Sequence, residues 1–374
     1  MEPVRFSPPL SQQRYEFVIS FVNNYKLKKV ADLGCSECSL LHRLKFWNCI
    51  EFLVGVDIDE ETLRRKMHTL TPLPAHYLEP MERPLTVILY KGSVCEKDPA
   101  LLGFDLISCV ELIEHLEVDD LDKLEDVLFG FMAPKAAVIT TPNADFNILL
   151  PKTQKFRHPD HKFEWSREEF QRWALKVVKH YNYKVEFSGV GKPPPEHEDV
   201  GFCSQIAVFI KNYTESEESI NIKKQYKSIY KTVLHVVYPS LQEEKYLRNA
   251  VLNVALLHAN RMKNSLLCDH KNKDENKQDI TTGVTDHSKE TYTYSKWSFG
   301  LETETQSEEN EVAQPFIQGN TIHVPLEALF TISKVKKLCG TLDVMKNFIA
   351  GEVTLSADGK TIMYPVYLDD VLEV

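Results

Sequence analysis

The 374-residue sequence predicts a doubly wound α/β fold built on a seven-stranded, mostly parallel sheet. Between residues 28 and 211, short runs rich in β-branched and aromatic residues alternate with amphipathic segments, which is the pattern of β–α–β units. Only residues 191–201 separate the last two runs, so they predict an antiparallel hairpin at the sheet edge. The predicted strands are residues 29–34, 52–58, 85–91, 104–110, 136–141, 184–190 and 203–210.

A sheet that ends in such a hairpin is typical of Rossmann-like class I methyltransferases, which is the fold expected for residues 28–211. Residues 1–27 are a lead-in, and residues 212–263 carry apolar side chains at mostly helical spacing, which predicts a helical appendage. Residues 264–314 are polar without a hydrophobic period, so we expect a disordered linker. Residues 315–374 regain apolar content around an Asp-Gly turn and predict a small C-terminal module.

The composition is that of a globular protein without a general nucleic-acid-binding surface. Hydrophobic residues make up 43% of the chain, and 44 basic and 54 acidic residues leave a formal net charge of −10. Non-specific binding to nucleic acid requires many phosphates to be neutralised at once, so this charge argues against a coat protein. No apolar run approaches the roughly 20 residues that cross a bilayer, and we expect no membrane association.

The eight cysteines are scattered through apolar runs, which fits reduced thiols in the cytosol. Cys35 and Cys38 form a C-x-x-C pair, but a second pair or nearby histidines are missing from the surrounding sequence, so we expect no zinc site there. These features predict a cytoplasmic or nuclear protein.

The first predicted strand ends in a turn suited to a nucleotide-type cofactor. Residues 30–37 read Val-Ala-Asp-Leu-Gly-Cys-Ser-Glu, where Gly34 allows the backbone to approach a ligand closely. The second strand ends in Asp57 about 20 residues later, the spacing at which a carboxylate meets a ribose diol in dinucleotide-binding folds. The alternative role for Asp57 is a helix N-cap, because Asp59 and two glutamates follow it.

The same pattern resembles motif I of enzymes that bind S-adenosylmethionine. The resemblance implies that Asp32 orients the methionine end of the cofactor beside the glycine turn. Many relatives carry glycine where this chain has Ser36, so the turn must accept a side chain or change its conformation. Ser93 follows the third strand, where such enzymes contact the adenine, and a plain turn serine is the alternative. The expected cofactor contacts are Asp32, Gly34, Cys35, Asp57 and Ser93.

Three residues of metal-binding type follow the fourth predicted strand. In Glu111-Leu-Ile-Glu114-His115, the second glutamate and the histidine lie at positions i+3 and i+4 from the first. If Glu111 opens a helix, the three side chains converge on one face, so we expect three potential metal ligands at one point. A Glu-His pair here is also frequent in methyltransferases that bind no metal, and Glu111 is the residue that favours a metal site.

An insertion after the fifth strand makes the resemblance specific. Residues 156–165 read F-R-H-P-D-H-K-F-E-W. Combined with E-x-x-E-H, this segment resembles the small RNA 3′-terminal 2′-O-methyltransferase family, in its animal form that acts on PIWI-interacting RNAs. The resemblance covers residues 10–211 and implies S-adenosylmethionine and a divalent metal, Mn²⁺, Mg²⁺ or Co²⁺. The implied metal ligands are Glu111, Glu114, His115 and His161, and His158 competes for the fourth place on chemistry alone.

The resemblance also implies the substrate and the partners. Plant members carry further double-stranded-RNA modules that have no counterpart here, so the 3′ end of a single-stranded small RNA is expected. Phosphates near that end would meet basic residues of the insertion, unless these belong to an ordinary solvated loop. The basic residues are Lys152, Lys155, Arg157 and Lys162. PIWI-type proteins are expected partners of a monomeric chain, in the cytoplasm or its RNA granules.

The expected chemistry is the activation of a ribose hydroxyl. A metal on the 2′-oxygen lowers its pKa, as zinc lowers that of water from about 15.7 to about 7, and holding the 3′-hydroxyl as well would select chain ends. His115 or His161 is the expected catalytic proton acceptor, and the sequence does not choose between them. Two other functions fit parts of the pattern, a metal-dependent catechol-type O-methyltransferase and a non-catalytic scaffold.

Overall fold

The computed structural model describes residues 4–151, 156–212, 227–278 and 313–366. The chain divides into two compact units, Met1–Gln242 and Glu243–Val374, and each is described by itself. Among the described residues, no helix combines the length and the apolar character that a membrane span needs.

The first unit is built on an eight-stranded sheet. Its strands are β1 (Lys29–Leu33), β2 (Phe52–Asp57), β3 (Leu85–Lys91), β4 (Leu106–Val110), β5 (Ala136–Pro142), β6 (Tyr183–Val190), β7 (Ser204–Lys211) and β8 (Lys231–Tyr238). They lie in the order β6-β7-β5-β4-β1-β2-β3-β8. The five strands from β5 to β3 run parallel, whereas β7 is antiparallel to both β5 and β6, and β8 is antiparallel to β3. The doubly wound fold and its β6–β7 hairpin are thereby confirmed.

Helices cover both faces of this sheet. They are α1 (Leu10–Tyr25), α2 (Ser39–Leu44), α3 (Glu60–Lys66), the short α4 (Pro74–Leu78), α5 (Val118–Glu125) and α6 (Arg167–His180). Val22 of α1 and Leu41 of α2 belong to one buried cluster, and Leu124 of α5 and Phe170 of α6 belong to the cluster on the other face. Each such side chain contributes about 1.5–3 kcal/mol when fully buried, and burial on both faces explains the continuous apolar runs of the parallel strands.

The eighth strand corrects the prediction that residues 212–263 form a helical appendage. The N–H groups of Ile229 and Tyr230 donate to the Asp98 carboxylate at 2.7 and 2.8 Å, which holds the start of β8 beside β3. Apolar residues up to Val237 recur at helical spacing by coincidence. The run Thr-Val-Leu-His-Val-Val-Tyr is rich in β-branched residues, and the edge of a sheet offers such a run backbone hydrogen bonds.

The second unit combines one long helix with a small sheet. Its elements are α7 (Glu244–Gln278), β9 (Phe316–Gln318), β10 (Thr321–Pro325), α8 (Leu326–Phe330), α9 (Ser333–Cys339), α10 (Leu342–Ile349) and β11 (Thr361–Pro365). Val251 and Ala255 of α7 share one apolar core with Ile322 and Val324 of β10. The prediction of a separate appendage and C-terminal module is therefore wrong, because the apolar face of α7 completes the core of the small sheet.

The predicted disordered linker at residues 264–314 also needs correction. The helix α7 continues through Gln278, so residues 264–278 are helical. Residues 279–312 lie outside the described residues, and the prediction there stays a prediction.

We expect the first unit to depend on β8 for its stability. A chain that ends after Gln242 keeps all eight strands. A chain that ends after Asn212 lacks β8 and the two N–H groups that donate hydrogen bonds to Asp98. Hydrogen bonds to a charged group contribute about 1.5–3 kcal/mol each. The shorter chain should therefore unfold at a temperature lower by roughly 6 °C or more, measured by circular dichroism. Equal midpoints for the two chains would contradict the role assigned to β8.

Candidate active site

The ends of β1, β2 and β4 meet at one edge of the sheet and line a cleft of about 390 Å³. This volume lies within the range of small-molecule sites. Four of the five expected cofactor contacts line the cleft, namely Asp32, Gly34, Cys35 and Asp57. The lining also includes Tyr15, Glu111 and His115, so two of the four expected metal ligands share this cavity with the expected cofactor contacts.

Ser93 lies outside this lining and stabilises a local turn. Its hydroxyl accepts a hydrogen bond from the Cys95 N–H at 3.2 Å, and its carbonyl accepts one from the Tyr230 hydroxyl at 2.9 Å. These contacts correspond to the turn role that the sequence left as an alternative. A contact with adenine stays a prediction.

The turn after β1 is held in an unusual backbone conformation. Gly34 has φ +70°, and a Cβ atom there would lie 2.7 Å from Cδ1 of Leu112. Ser36, where many relatives carry glycine, has φ 43°, so the chain accepts the serine in the left-handed region. That conformation costs roughly 1–2 kcal/mol. Asp57 offsets the cost, because its Oδ2 accepts a hydrogen bond from the Ser36 N–H at 2.7 Å.

Asp57 does not cap a helix. The cap of α3 is Asp59, whose side chain accepts hydrogen bonds from the N–H groups of Glu61 and Thr62 at 3.0 and 3.1 Å. Asp57 instead accepts from Ser36 and from the Asp59 N–H, so it ties the turn after β1 to the end of β2. The N-cap alternative for Asp57 is therefore wrong.

Asp32 lies beneath the cleft and is almost fully buried. Burial, aided by the charge of Asp57, raises its pKa to about 7, although a hydrogen bond from the Ser108 hydroxyl at 2.7 Å acts in the opposite direction. Near neutral pH this carboxyl is therefore divided between its protonated and ionised forms.

The residues after β4 do not lie on one helical face, contrary to the prediction. Glu111 has a left-handed backbone with φ 51°, and Ile113–His115 forms a single 3₁₀ turn. The α-helix begins later, at Val118. The Glu111 carboxylate turns toward β5 and β7, where the hydroxyls of Thr140 and Ser204 donate to it at 2.9 and 2.8 Å. Its orientation is set by these neighbouring strands and not by helical periodicity.

Glu114 is fully buried beside the cleft. The Thr141 hydroxyl donates to its Oε2 at 3.0 Å, whereas its Oε1 has no hydrogen-bond partner. Burial, followed by the charge of Glu111, raises the pKa of Glu114 well above its ordinary value. A buried carboxylate oxygen without a partner is costly, and a bound cation removes that cost.

Three histidines gather beside these glutamates. His115, His158 and His161 each offer one ring nitrogen, and these atoms lie within 4.8 Å of one another. The Nδ1 of His161 lies 2.6 Å from Oε1 of Glu164, and only 7% of the His161 side chain is exposed. Burial, followed by the neighbouring His161 and His158, lowers the pKa of His115. Within the described ranges, neither Glu111 nor Glu114 belongs to this 4.8 Å group.

Of the two described basic residues of the insertion, one supports the fold and the other is exposed. Arg157 donates to the Cys203 carbonyl at 2.9 Å, to Oδ1 of Asn147 at 2.5 Å and to the carbonyl of Asn143. These bonds bind the insertion to the sheet, so the guanidinium does not lie ready for a phosphate. Lys162 is exposed and pairs with Glu117. Lys152 and Lys155 lie outside the described residues.

The site also includes residues that the sequence does not single out. Arg14 of α1 lies with Nη1 3.3 Å from Oε2 of Glu111, and its buried Nε has no partner. Tyr15 lines the cleft, and burial raises its pKa. Residues 1–27 carry no local signal for these roles. Glu164 stands three positions after His161 in the insertion, and this spacing is the signal that was available.

The chain is similar over its whole length to proteins with one shared description. A "Small RNA 2′-O-methyltransferase" of Xenopus tropicalis is 58% identical over 99% of this chain and 100% of its own length. One of Gallus gallus with the same description is 49% identical over 96% of this chain and 94% of its own. A family model described as the HENMT1 C-terminal domain matches residues 245–366, within the second unit.

A solved structure agrees with this similarity. The crystal structure of the small RNA methyltransferase HEN1 superposes with a TM-score of 0.52 and 33% sequence identity. The superposition covers 64% of this chain and 28% of that longer chain.

Ser108→Ala should move the pH range over which a cofactor analogue binds to higher pH. The Ser108 hydroxyl holds the pKa of Asp32 down, so its removal should raise that pKa above about 7. A larger fraction of the Asp32 carboxyl would then be protonated at neutral pH. The protonated form cannot form an ion pair with the cationic amino group of the ligand. Calorimetric titration with S-adenosylhomocysteine should show weaker binding at neutral pH that recovers as the pH rises. Ser188→Ala, at an exposed serine of β6 outside the cleft, is the control, and an unshifted Ser108→Ala profile would exclude Asp32 from recognition.

Proposed function

Because the chain belongs to the family of small RNA 2′-O-methyltransferases, we propose that it methylates the 2′-hydroxyl of the 3′-terminal ribose of single-stranded small RNAs. S-adenosylmethionine is the methyl donor, and a divalent metal ion assists the transfer. The animal form of the family, indicated by the insertion motif, makes PIWI-interacting RNAs the proposed substrates. The alternatives, a catechol-type enzyme and a non-catalytic scaffold, lose support because the full-length relatives share the RNA methyltransferase description.

One observation carries this proposal: His115 belongs to both halves of the site. It lines the cofactor cleft with Gly34 and Asp57, and its ring nitrogen lies within 4.8 Å of those of His158 and His161. A methyl donor in the cleft would therefore lie beside the groups suited to activating the acceptor. Direct transfer requires this adjacency, because holding two reactants together removes much of the entropic cost of their encounter.

The side chains present fit a divalent cation. Glu114 offers a buried oxygen without a partner, and His161 has Glu164 behind it, the outer partner typical of metal-binding histidines. We therefore assign Glu114, His115 and His161 as ligands. Glu111 would join them after leaving Arg14. When bound, the metal ion would supply Lewis-acid chemistry that lowers the pKa of a hydroxyl group.

The proton acceptor is His115 or His161. Burial lowers the pKa of His115, so this imidazole is neutral at neutral pH and has a lone pair to offer. The Nδ1 of His161 is engaged by Glu164, which leaves its Nε2 for the cluster. Both imidazoles are also assigned as metal ligands, and a nitrogen that binds a metal cannot accept a proton at the same time, so the structure does not choose the base between them.

We also propose the partners of the protein and its location in the cell. A chain with a net charge of −10 is expected to grip RNA at its end and not along its length. We propose a monomer that works in the cytoplasm and its RNA granules on RNA presented by PIWI-type proteins. Co-purification from cells and size-exclusion chromatography would test these points.

Turnover should require both hydroxyls of the terminal ribose. Only a 3′-terminal ribose carries both groups free, so end selection requires the site to sense the 3′-hydroxyl that is not methylated. Replacing it with hydrogen or phosphate should lower the rate on the order of 100-fold, the usual effect of misplacing a reactant by about 1 Å. Labelled methyl incorporation into three RNAs of identical sequence measures this.

Two outcomes would contradict this assignment. Equal rates on the diol, 3′-deoxy and 3′-phosphate RNAs would rule out end recognition. A diol product that is still cleaved by periodate would show that neither terminal hydroxyl had accepted the methyl group.

Mn²⁺ or Co²⁺ should support activity better than Mg²⁺ at equal concentration, because imidazole ligands suit softer cations. His161→Ala should weaken Mn²⁺ binding more than His158→Ala, since His161 is almost buried and oriented by Glu164, whereas His158 is exposed. Calorimetric titration with each metal gives the ranking. Full activity in excess chelator would refute the metal assignment, and the reverse ranking of the two variants would refute the choice of His161.

A further inference from the structure

The histidine cluster holds one more imidazole than the proposed reaction uses. The proposed metal site uses His115 and His161. The ring centroid of His158 lies 5.9 Å from that of His115 and 5.6 Å from that of His161. The nitrogen donors of all three lie within 4.8 Å of one another. A group of three imidazoles without a carboxylate is a donor set of different chemical character from the mixed set.

Two of the three rings are already oriented as metal ligands are. His161 has its Nδ1 against Glu164, whose side chain is 2% exposed, and His115 is hydrogen-bonded to the backbone of Asp160. Histidines that bind metals engage their second nitrogen in this way, which fixes the ring and directs the other nitrogen at the ion. His115 and His161 therefore form a preformed pair.

His158 is the adjustable member of the cluster. Its side chain is 54% exposed, and its Nδ1 accepts a long hydrogen bond of 3.3 Å from the Asp160 N–H. Turning this ring costs one weak hydrogen bond, a 3.6 Å approach of Nδ1 to the Asp160 carboxylate, and little packing. In a tetrahedral site with zinc–nitrogen bonds of about 2.0–2.1 Å, the nitrogens lie about 3.3 Å apart. The three nitrogens already lie within 4.8 Å of one another, so no pair has to close by more than about 1.5 Å, and the exposed His158 has room for its share of that movement.

We propose that His115, His158 and His161 form a Zn²⁺ site that competes with the metal used in methyl transfer. Imidazole suits zinc, and sites of nitrogen and oxygen donors generally bind Zn²⁺ more tightly than Mn²⁺. Zinc in such a site would take His115 and His161 away from Glu114. The inference rests on the proposed function, because the two ions share these histidines, and free zinc is then an inhibitor of the enzyme.

Metal binding to the full-length protein without RNA tests the proposal. The affinities for Zn²⁺ and Mn²⁺ are measured by competition with a chromophoric chelator for the unmodified chain, His158→Ala and His158→Gln. Removing the third imidazole should weaken Zn²⁺ binding about 10-fold or more, while Mn²⁺ binding changes by less than about 3-fold. His180→Ala, an exposed histidine at the end of α6, is the matched control and should change neither affinity.

The reciprocal variant is Glu114→Gln, which should weaken Mn²⁺ binding more than Zn²⁺ binding. Equal losses of both affinities in the His158 variants would overturn the zinc site, because all the residues would then belong to one site. Unchanged Zn²⁺ affinity in these variants, with methyl transfer intact in the unmodified chain, would overturn the zinc site and leave the proposed function standing. If the unmodified chain binds neither metal, both proposals fail.

Discussion

The parallel pairing of β1 with both β2 and β4 is the constraint on which the site depends. Its register places Leu33 beside Val56 on one side and Cys109 on the other, so the three strands end together. Gly34, Asp57 and Glu111 then follow at one edge of the sheet and line one cleft. The hydrogen bond from the Ser36 N–H to Asp57 joins two of these strand ends, so the register of the sheet helps to fix the conformation of the turn after β1.

The site keeps acidic groups where folding alone would not place them. Burial raises the pKa of both Asp32 and Glu114, and Oε1 of Glu114 lacks a partner. Left-handed backbone at Ser36 and Glu111 adds roughly 1–2 kcal/mol at each position. Such costs concentrate at functional sites, where the surrounding structure over-determines the conformation. Here the two apolar layers that sandwich the parallel strands provide the stability that offsets them.

In the insertion after β5, some side chains hold the loop in place and others belong to the histidine cluster. Arg157 secures the loop to Cys203 and Asn147, and Glu164 orients His161. The exposed His158 lacks such support, so the loop carries one imidazole that is held in place, His161, and one that is adjustable. Glu111 lies outside the histidine cluster and pairs with Arg14, so this carboxylate would have to leave that partner to join the proposed metal site.

The sequence by itself determined the parallel strands, the β6–β7 hairpin, the cofactor turn and the family, because apolar runs, Gly34, the placement of Asp57 and the insertion motif are local signals. Only the tertiary structure decided what depends on contacts distant along the chain. The apolar residues of β8 recur at helical spacing in the sequence, yet they form a strand because they pair with β3. The contact of Arg14 with Glu111 arises from packing that no local pattern encodes. Likewise, α7 and the small C-terminal sheet become one domain because neither buries its apolar face alone.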